Sequence, residues 1–319
     1  MRSPGYGRCV DVLADLLMRA HARGAVVAHT SAAAPWGLEV DVPSPLIVHA
    51  VLEGEVWLTR DGAPPVRGLP GDLLLLTARG PHRLSSDGAA AEAVPVAEAT
   101  ARWGEGRRVT IPGDGPAARL ICGAYTFEGA LCDQLLAVLP AVVHLPAGSL
   151  ADADGLRAAL RLLALELRNG DPGQQTVLDR MLDVVLVLGL RAWFARPGAE
   201  APAWYRALAD PEVGRALRLM HEHPERAWSV AGLAAEVGLS RAAFARRFTT
   251  LVGVPPLGYL TGWRMELAAD LLATSRLPLS GVAARVGYRS EFALSAAFRR
   301  TYGEPPGAHR RRAWSAAPG

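Results

Sequence analysis

The sequence predicts an α+β chain: an N-terminal β-sandwich or β-barrel followed by helices, then an all-α domain with two helix-turn-helix units joined by a linker helix. Three observations predict it. Short apolar runs alternate with turn residues from Gly24 to Phe127, apolar residues recur at helical spacing after Pro146, and a helical segment beginning at Val230 repeats from Leu279.

At 319 residues the chain is long enough for two domains that each bury a core. Half of the residues are apolar, too many for a disordered chain. The most apolar stretch, Val177 to Phe194, is interrupted on more than one face by Asp179, Arg180, Asp183 and Arg191. A bilayer would penalise those charges, so it reads as a buried or dimer-forming helix. The opening MRSPGYGRCVDVLADLLMRA lacks the layout of a secretory signal, and a cytoplasmic protein is expected. The cysteines, Cys9, Cys122 and Cys132, are odd in number and at no metal-ligand spacing, so they read as reduced thiols.

Taken in order, the runs AVVAHT, LEVDV, LIVHAVLEGEVWLT, DLLLLT and ARLICGAYTF have the length and bounds of strands in a compact antiparallel structure. The turns have matching chemistry: Glu53-Gly54 inside one hairpin, Asp61-Gly62 after Trp57-Leu58-Thr59, and Pro70-Gly71-Asp72 before the next strand. Helices are predicted from Asp154 to Arg168 and from Gln174 to Phe194, parted by Asn169-Gly170-Asp171-Pro172-Gly173. Residues 197–209 read as a linker between a domain over 1–196 and a helical domain over 210–319.

The repeat sets VAGLAAEVGLSRAAFARRF, from Val230 to Phe248, against LSGVAARVGYRSEFALSAAF, from Leu279 to Phe298, at an offset of 49 residues that becomes 50 after a one-residue insertion. In each copy a short helix with paired apolar residues, Leu233 and Val237 or Val282 and Val286, runs into a glycine, Gly238 or Gly287. That glycine can take the positive φ that turns the chain at a helix end. Ser240 or Ser290 then caps a second helix whose inward face holds Phe244 and Phe248, or Leu294 and Phe298. This is the helix-turn-helix plan.

A helical bundle would use Gly and Ser at helix ends in the same way, so the charge matters. Residues 211–319 hold 15 Arg against 8 acidic residues, a formal +7, while the rest is near −4, giving the net +3. That surplus suits phosphate neutralisation, or else a solvated basic face. Two copies, an intervening amphipathic helix from Leu257 to Ala273 and the Arg surplus together favour DNA. A helix of ~17 residues rising ~1.5 Å each spans roughly 25 Å, which sets two recognition helices about one DNA turn apart.

At these residues the segment from Asp210 to Arg312 resembles the C-terminal domain of AraC/XylS-type transcriptional regulators. VAARVGYRSEFALSAAFRRTYGEPPGAHRRR is similar to the family signature, and Pro255-Pro256, Tyr259 and Arg264 to Leu272 resemble its linker helix. Carried over by position, base contacts in the first recognition helix fall on Arg241, Ala242, Ala245 and Arg246, of which only the arginines can reach guanine in a bidentate way. The matching positions of the second are Glu291, Phe292, Ser295 and Ala296: a carboxylate for a cytosine amine, a ring for a thymine methyl, a hydroxyl, or else packing and surface groups. Ser240, Arg247, Arg289, Ser290, Arg299 and Arg300 are expected at phosphates. His309 stands where the family has Tyr. The expected asymmetry is specific recognition led by the first unit, with the second supplying backbone positioning and shape.

Residues from Asp11 to Arg196 resemble the cupin-type sensor domain of one branch of these regulators, through Pro35-Trp36-Gly37, Val51-Leu52-Glu53-Gly54 and Pro70 to Leu76. In cupin enzymes two or three His and a carboxylate hold a metal inside the barrel, and His49, Glu53 and His82 occupy roughly those places. The second His of the usual His-x-His pair is missing, so neither metal nor cofactor is expected, and a structural or ligand-facing role for the two histidines is preferred. Trp36, His49, Glu53, Trp57, His82 and Cys122 are the candidate effector pocket. The tryptophans are equally suited to the core, and Cys122 either senses an oxidant or is an inert buried thiol.

The reading is therefore a sequence-specific DNA-binding regulator, not an enzyme, controlled by a small-molecule or redox signal in the cupin-like domain. The resemblance implies double-stranded promoter DNA, a small-molecule effector and a second copy of the chain as partners, with RNA polymerase a further candidate and no membrane. Two rivals remain: a cupin enzyme with a DNA anchor, and an architectural DNA binder without sequence preference.

Overall fold

Two apolar runs, LIVHAV and LLLL, whose one polar residue is His49, become strands covered on both faces. Such strands have no solvent side and so show no alternation. The structure is a computed structural model that describes residues 28–77, 80–88, 93–105, 107–125, 135–149, 154–169 and 172–315. Cys9, Cys132, the N-terminal segment, the ends of the AVVAHT and ARLICGAYTF runs and part of the break after Asn169 lie outside the described residues. The chain divides into two compact units that meet in sequence between Glu200 and Ala201.

The N-terminal unit is built from twelve described strands: β1 (Ala28–Ala33), β2 (Gly37–Val40), β3 (Leu46–Glu53), β4 (Val56–Arg60), β5 (Ala63–Gly68), β6 (Leu73–Leu76), β7 (His82–Ser85), β8 (Val94–Pro95), β9 (Gly104–Glu105), β10 (Arg108–Ile111), β11 (Ala117–Tyr125) and β12 (Val142–Leu145). Seven form one sheet in the order β12-β6-β3-β11-β1-β10-β9, and five form another in the order β5-β4-β7-β2-β8. Between them lies an apolar core. Val51, Leu74, Val109 and Leu120 come from the larger sheet, Leu38, Leu58 and Leu84 from the smaller, and Trp36 from the residue just before β2.

The sheets are mixed, not purely antiparallel as the turn spacing suggests: β1 pairs with β10, and β2 with β8, in parallel. A helix, α1 (Val96–Trp103), crosses between β8 and β9 in a stretch read as strands and turns, and buries only Ala99. Strand β5, APPVRG, carries Pro64 and Pro65 because it is a sheet edge, where a missing N–H breaks no ladder. The Pro70-Gly71-Asp72 turn is held by Asp72. Its carboxylate accepts from the Leu69 N–H at 3.0 Å, the Ala147 N–H at 2.8 Å and His144 Nε2 at 2.9 Å. Burial alone would raise this carboxyl, but those donors outweigh it and hold it below the usual carboxylate range.

Helices α2 (Asp154–Asn169) and α3 (Gln174–Phe194) pack together and cover the outer face of the larger sheet. Two glycines allow the close approach. A Cβ on Gly123 of β11 would meet Leu182 at 2.2 Å, and one on Gly189 of α3 would meet Leu73 at 2.5 Å. No described helix is long and apolar enough to cross a membrane.

The second unit is helical: α4 (Ala203–Ala207), α5 (Pro211–Glu222), α6 (Val230–Glu236), α7 (Arg241–Val252), α8 (Pro256–Thr274), α9 (Leu279–Arg285), α10 (Glu291–Tyr302) and α11 (Pro306–Ser315). Helix α4 falls inside the stretch read as linker. Its Trp204 is fully buried and the helix packs on α7.

Candidate nucleic-acid interface

Each helix-turn-helix unit is assembled by local chemistry. In the first, Ser229 Oγ accepts from the Gly232 N–H and Leu233 is buried; the chain turns at Gly238, φ +73°, and Ser240 Oγ accepts from the Ala243 N–H to start α7. In the second, Pro278 precedes α9, Gly287 turns at φ +75°, and Ser290 Oγ accepts from the Ala293 N–H to start α10. The hydroxyl caps satisfy N–H groups that a helix start leaves open.

The structural repeat runs further than the sequence comparison takes it. Both recognition helices end on a left-handed glycine, Gly253 and Gly303, and two residues later a Pro-Pro pair opens the next helix. One turn on, Tyr259 packs edge-on against Phe248 with ring centres 5.9 Å apart and planes at 73°, and His309 packs on Phe298 at 5.3 Å and 72°. The imidazole thus fills the place of the tyrosine ring. His309 Nδ1 lies 3.0 Å from Glu304 Oε1, within hydrogen-bonding distance.

Arg264 of α8 ties the units together. Its Nε donates to the Pro224 carbonyl and its Nη2 to the Arg226 carbonyl, both at 2.8 Å. The same guanidinium lies against Gly287, where a Cβ would stand 2.5 Å from Nη2. One side chain on the linker helix therefore fixes the chain after α5 and the turn of the second unit at once. His221 of α5 stacks on Trp263 at 3.9 Å and pairs with Tyr259 Oη at 2.9 Å.

On α7 the buried face is Phe244, Phe248 and Val252, and the opposite face presents Arg241, Ala242 and Arg246 to solvent, with Ala245 half-buried. Neither Arg241 nor Arg246 makes an ion pair with another described residue. Arg247 differs: its Nε and Nη2 donate to Asp210 Oδ2 at 3.0 and 2.6 Å, and Nη2 lies 3.1 Å from Glu212 Oε2. That commitment competes with the phosphate contact expected of it. On α10 Leu294, Ala297 and Phe298 are buried, Glu291 and Ser295 are half-buried, and Ala296, Arg299 and Arg300 are exposed. Phe292 is 80% exposed, far outside any core. Arg289 and the capping Ser240 and Ser290 are exposed at the helix starts.

In the N-terminal unit the structure brings three of the six candidate pocket residues into line. His49 Nδ1 lies 2.8 Å from Cys122 Sγ, and His49 Nε2 lies 2.8 Å from His82 Nε2. Burial pushes the Cys122 thiol up to about 12, against a hydrogen bond from Thr30 that lowers it. The thiol is therefore protonated, and it stands in a hydrogen-bonded row with the two imidazoles. Burial, with the neighbouring imidazole, holds His49 well below 6.5, and burial with Arg60 brings His82 to about 4, so both rings are neutral. A protonated thiol is a poor nucleophile, which speaks against the oxidant-sensor role for Cys122.

The other three are elsewhere. Trp36 belongs to the core between the sheets. Trp57 points away from its core neighbours Val56 and Leu58, donates to Glu55 at 2.9 Å and lies under Gly88. Glu53 faces the outer side of the larger sheet, where it pairs with Arg119 at 3.4 Å and with Arg168. A shift of register between Arg119 and Leu120 causes this: Leu120 pairs with Val51, but the next residue, Arg119, pairs with Glu53. The extra residue reverses the alternation, so His49 looks inward and Glu53 outward. The residues do not fit a metal centre. The two imidazoles bond to each other, the carboxylate lies across the sheet, and no group of three His, Cys, Asp or Glu among the described residues is placed to hold an ion.

Residues 11–195 match the cupin family and residues 233–312 the helix-turn-helix domain family. An AraC-like transcription regulator of Streptomyces antibioticus is 36% identical over 305 residues, covering 95% of this chain and 99% of that protein. The HTH-type transcriptional regulator AlkR of Acinetobacter baylyi is 28% identical over 302 residues, 93% of this chain and 98% of that one. Among solved structures, the DNA-binding domain of AdpA in complex with a target DNA is 36% identical over 34% of this chain and 96% of that chain, with a TM-score of 0.32. With a cupin domain over more than half its length and the repeated helix-turn-helix unit after it, the chain belongs to the family of AraC-like DNA-binding transcriptional regulators.

Proposed function

We propose that the helical unit, residues 210–319, reads double-stranded promoter DNA with its two recognition helices used unequally. The observation that carries this is the exposed Arg241 and Arg246 on α7, neither in an ion pair with another described residue, beside the mostly short or apolar groups on α10. Arg246 and Arg241 form bidentate bonds to guanine, while Ala242 and Ala245 let the backbone approach the base edges. On α10, Glu291, Phe292 and Ser295 make the base contacts, Phe292 against a thymine methyl. Ser240, Arg289, Ser290, Arg299 and Arg300 hold phosphates. Arg247 joins them only by exchanging Asp210 for a phosphate.

The N-terminal part, residues 1–196, receives a small-molecule signal and pairs two copies of the chain through α2 and α3, whose Leu162, Leu165, Val177 and Val184 are exposed. Two chains bring four recognition helices to one operator in the cytoplasm, where RNA polymerase is the next partner. Footprinting on DNA upstream of the chain's own gene tests the reading. A protected segment that survives excess competitor DNA is expected, and uniform protection of every sequence would leave an architectural binder instead.

A further inference from the structure

We propose that the outer face of the larger sheet carries a binding site for a small organic dianion, such as a dicarboxylate or a phosphate ester. The strand register builds it. Thr110 of β10, Ser31 of β1, Arg119 of β11 and Glu53 of β3 stand side by side across four strands, and Arg108 stands beside His29 in a parallel row. Leu167 and Arg168 of α2 complete a groove of about 540 Å³ over these residues. That volume is within the range of small-molecule sites, roughly 300–1,000 Å³.

The chemistry selects the ligand's charge. The groove wall holds three guanidiniums, Arg108, Arg119 and Arg168, against the single carboxylate of Glu53. Arg119 and Arg168 share that carboxylate, so one of their charges is uncompensated. Arg108 is exposed and makes no ion pair with a described residue. The nearby Asp179 is taken up by Arg107 and by Gln175.

His29 supplies the second, independent sign. It is 8% exposed, yet its Nε2 has no hydrogen-bond partner among the described residues. Burial and the adjacent Arg108 and Arg107, opposed by Asp179, hold it at about 4, so it is neutral and able to donate. A buried polar atom without a partner is costly. Glu105 of β9 is the cross-strand neighbour of Arg108 but makes no ion pair with it, so water would satisfy the nitrogen but not the surplus positive charge of the groove, whereas an anion satisfies both. The Ser31 and Thr110 hydroxyls add donors, and Leu167 gives an organic group an apolar wall.

The site deepens the reading that the N-terminal part takes a small-molecule signal, but its test is independent of DNA. The full chain is titrated by calorimetry, at fixed ionic strength, with glutarate, phthalate and glucose 6-phosphate, and with glutaramide, phthalamide and glucose. At least one dianion is expected to bind saturably, one per chain, with its neutral counterpart silent. Arg108→Gln, at an exposed position without an ion pair among the described residues, should weaken that binding about tenfold or more through loss of charge-assisted hydrogen bonds, with the melting temperature unchanged. His29→Phe should weaken it as well. The proposal is overturned if no dianion exceeds its neutral counterpart, if Arg108→Gln binds like the wild type, or if binding is lost instead with His49→Gln inside the core. A chain that footprints DNA but fails these titrations remains a regulator without this site. One that binds the dianion but no DNA overturns the regulator reading alone.

Discussion

Arg247 closes on Asp210 with two guanidinium nitrogens, and the same Asp210 carboxylate caps α5 by accepting from the N–H groups of Glu212 and Val213 at 3.2 and 2.9 Å. One carboxylate thus anchors both the first helix of the DNA-binding part and its recognition helix. Its burial is outweighed by these donors, and it is held below the usual carboxylate range. Asp210→Ala should cost about 1 kcal/mol in the lost cap alone. Arg247→Ala should lower stability by less, because the pair is half exposed and salt-screened. Urea unfolding of both variants checks this, and the salt dependence of DNA binding by Arg247→Ala should match the wild type. A reduced salt slope would return Arg247 to the phosphate contacts.

Gly238 and Gly287 occupy equivalent turns with nearly equal φ, +73° and +75°, but different surroundings. Nothing lies within 4 Å of a Cβ on Gly238, whereas one on Gly287 would stand 2.5 Å from Arg264 Nη2 and 2.6 Å from the Pro224 carbonyl. Gly238→Ala should therefore cost only the left-handed backbone term, about 1 kcal/mol. Gly287→Ala should cost at least about 1 kcal/mol more, because it displaces the guanidinium from the Pro224 and Arg226 carbonyls and also crowds the Pro224 oxygen. Equal midpoints in thermal unfolding would contradict the role given to Arg264.

The neutral histidines of the N-terminal part predict acid sensitivity. His29 and His82 sit at about 4 in the folded chain, and His49 is also well below 6.5, the ordinary value. As pH falls through 6.5 the unfolded chain takes up protons that the folded chain refuses, so stability drops between pH 6.5 and about 4. The melting temperature of the wild type should fall from pH 6.5 to 5, where most carboxylates are still ionised. His82→Gln should remove about 2 kcal/mol of that dependence. A wild-type curve flat over this range would show that the rings are charged or exposed.

Much of the fold was legible because its signals are local. The hairpin at Glu53-Gly54, the bounds of α3 and the paired Gly-Ser turns at Gly238-Ser240 and Gly287-Ser290 all lie within a few residues of the chemistry that makes them. What was not legible depends on partners distant in sequence. The parallel pairing that sets His29 beside Arg108, and the register shift that turns Glu53 outward, cannot be read from either strand alone. Glu53 left the candidate pocket for that reason, since the resemblance to cupin enzymes set it beside His49 and His82. The recognition-helix faces were legible because Phe244 and Phe248 fix which side is buried. That Arg247 would be claimed by Asp210, 37 residues earlier, was not.

Phe292 is the exposed aromatic on the second recognition helix. Phe292→Ala should leave the melting temperature unchanged and weaken operator binding by about 1 kcal/mol, as for an apolar contact with one thymine methyl. Replacing that thymine by uracil should weaken the wild type equally and leave the variant unaffected. If uracil has no effect at any operator position, Phe292 has another partner.

On the function proposed above, the first unit reads bases while the second chiefly holds the backbone. Operator and non-operator binding by Arg246→Ala and Arg299→Ala, measured across a salt series, tests it most directly. Arg246→Ala should lose about 1–3 kcal/mol on the operator and relax preference at one base pair. Arg299→Ala should weaken all sequences alike and reduce the salt slope by about one. If both variants bound operator and non-operator DNA as the wild type does, or if Arg299→Ala rather than Arg246→Ala relaxed the base preference, the two units would not divide base reading and backbone contact in this way.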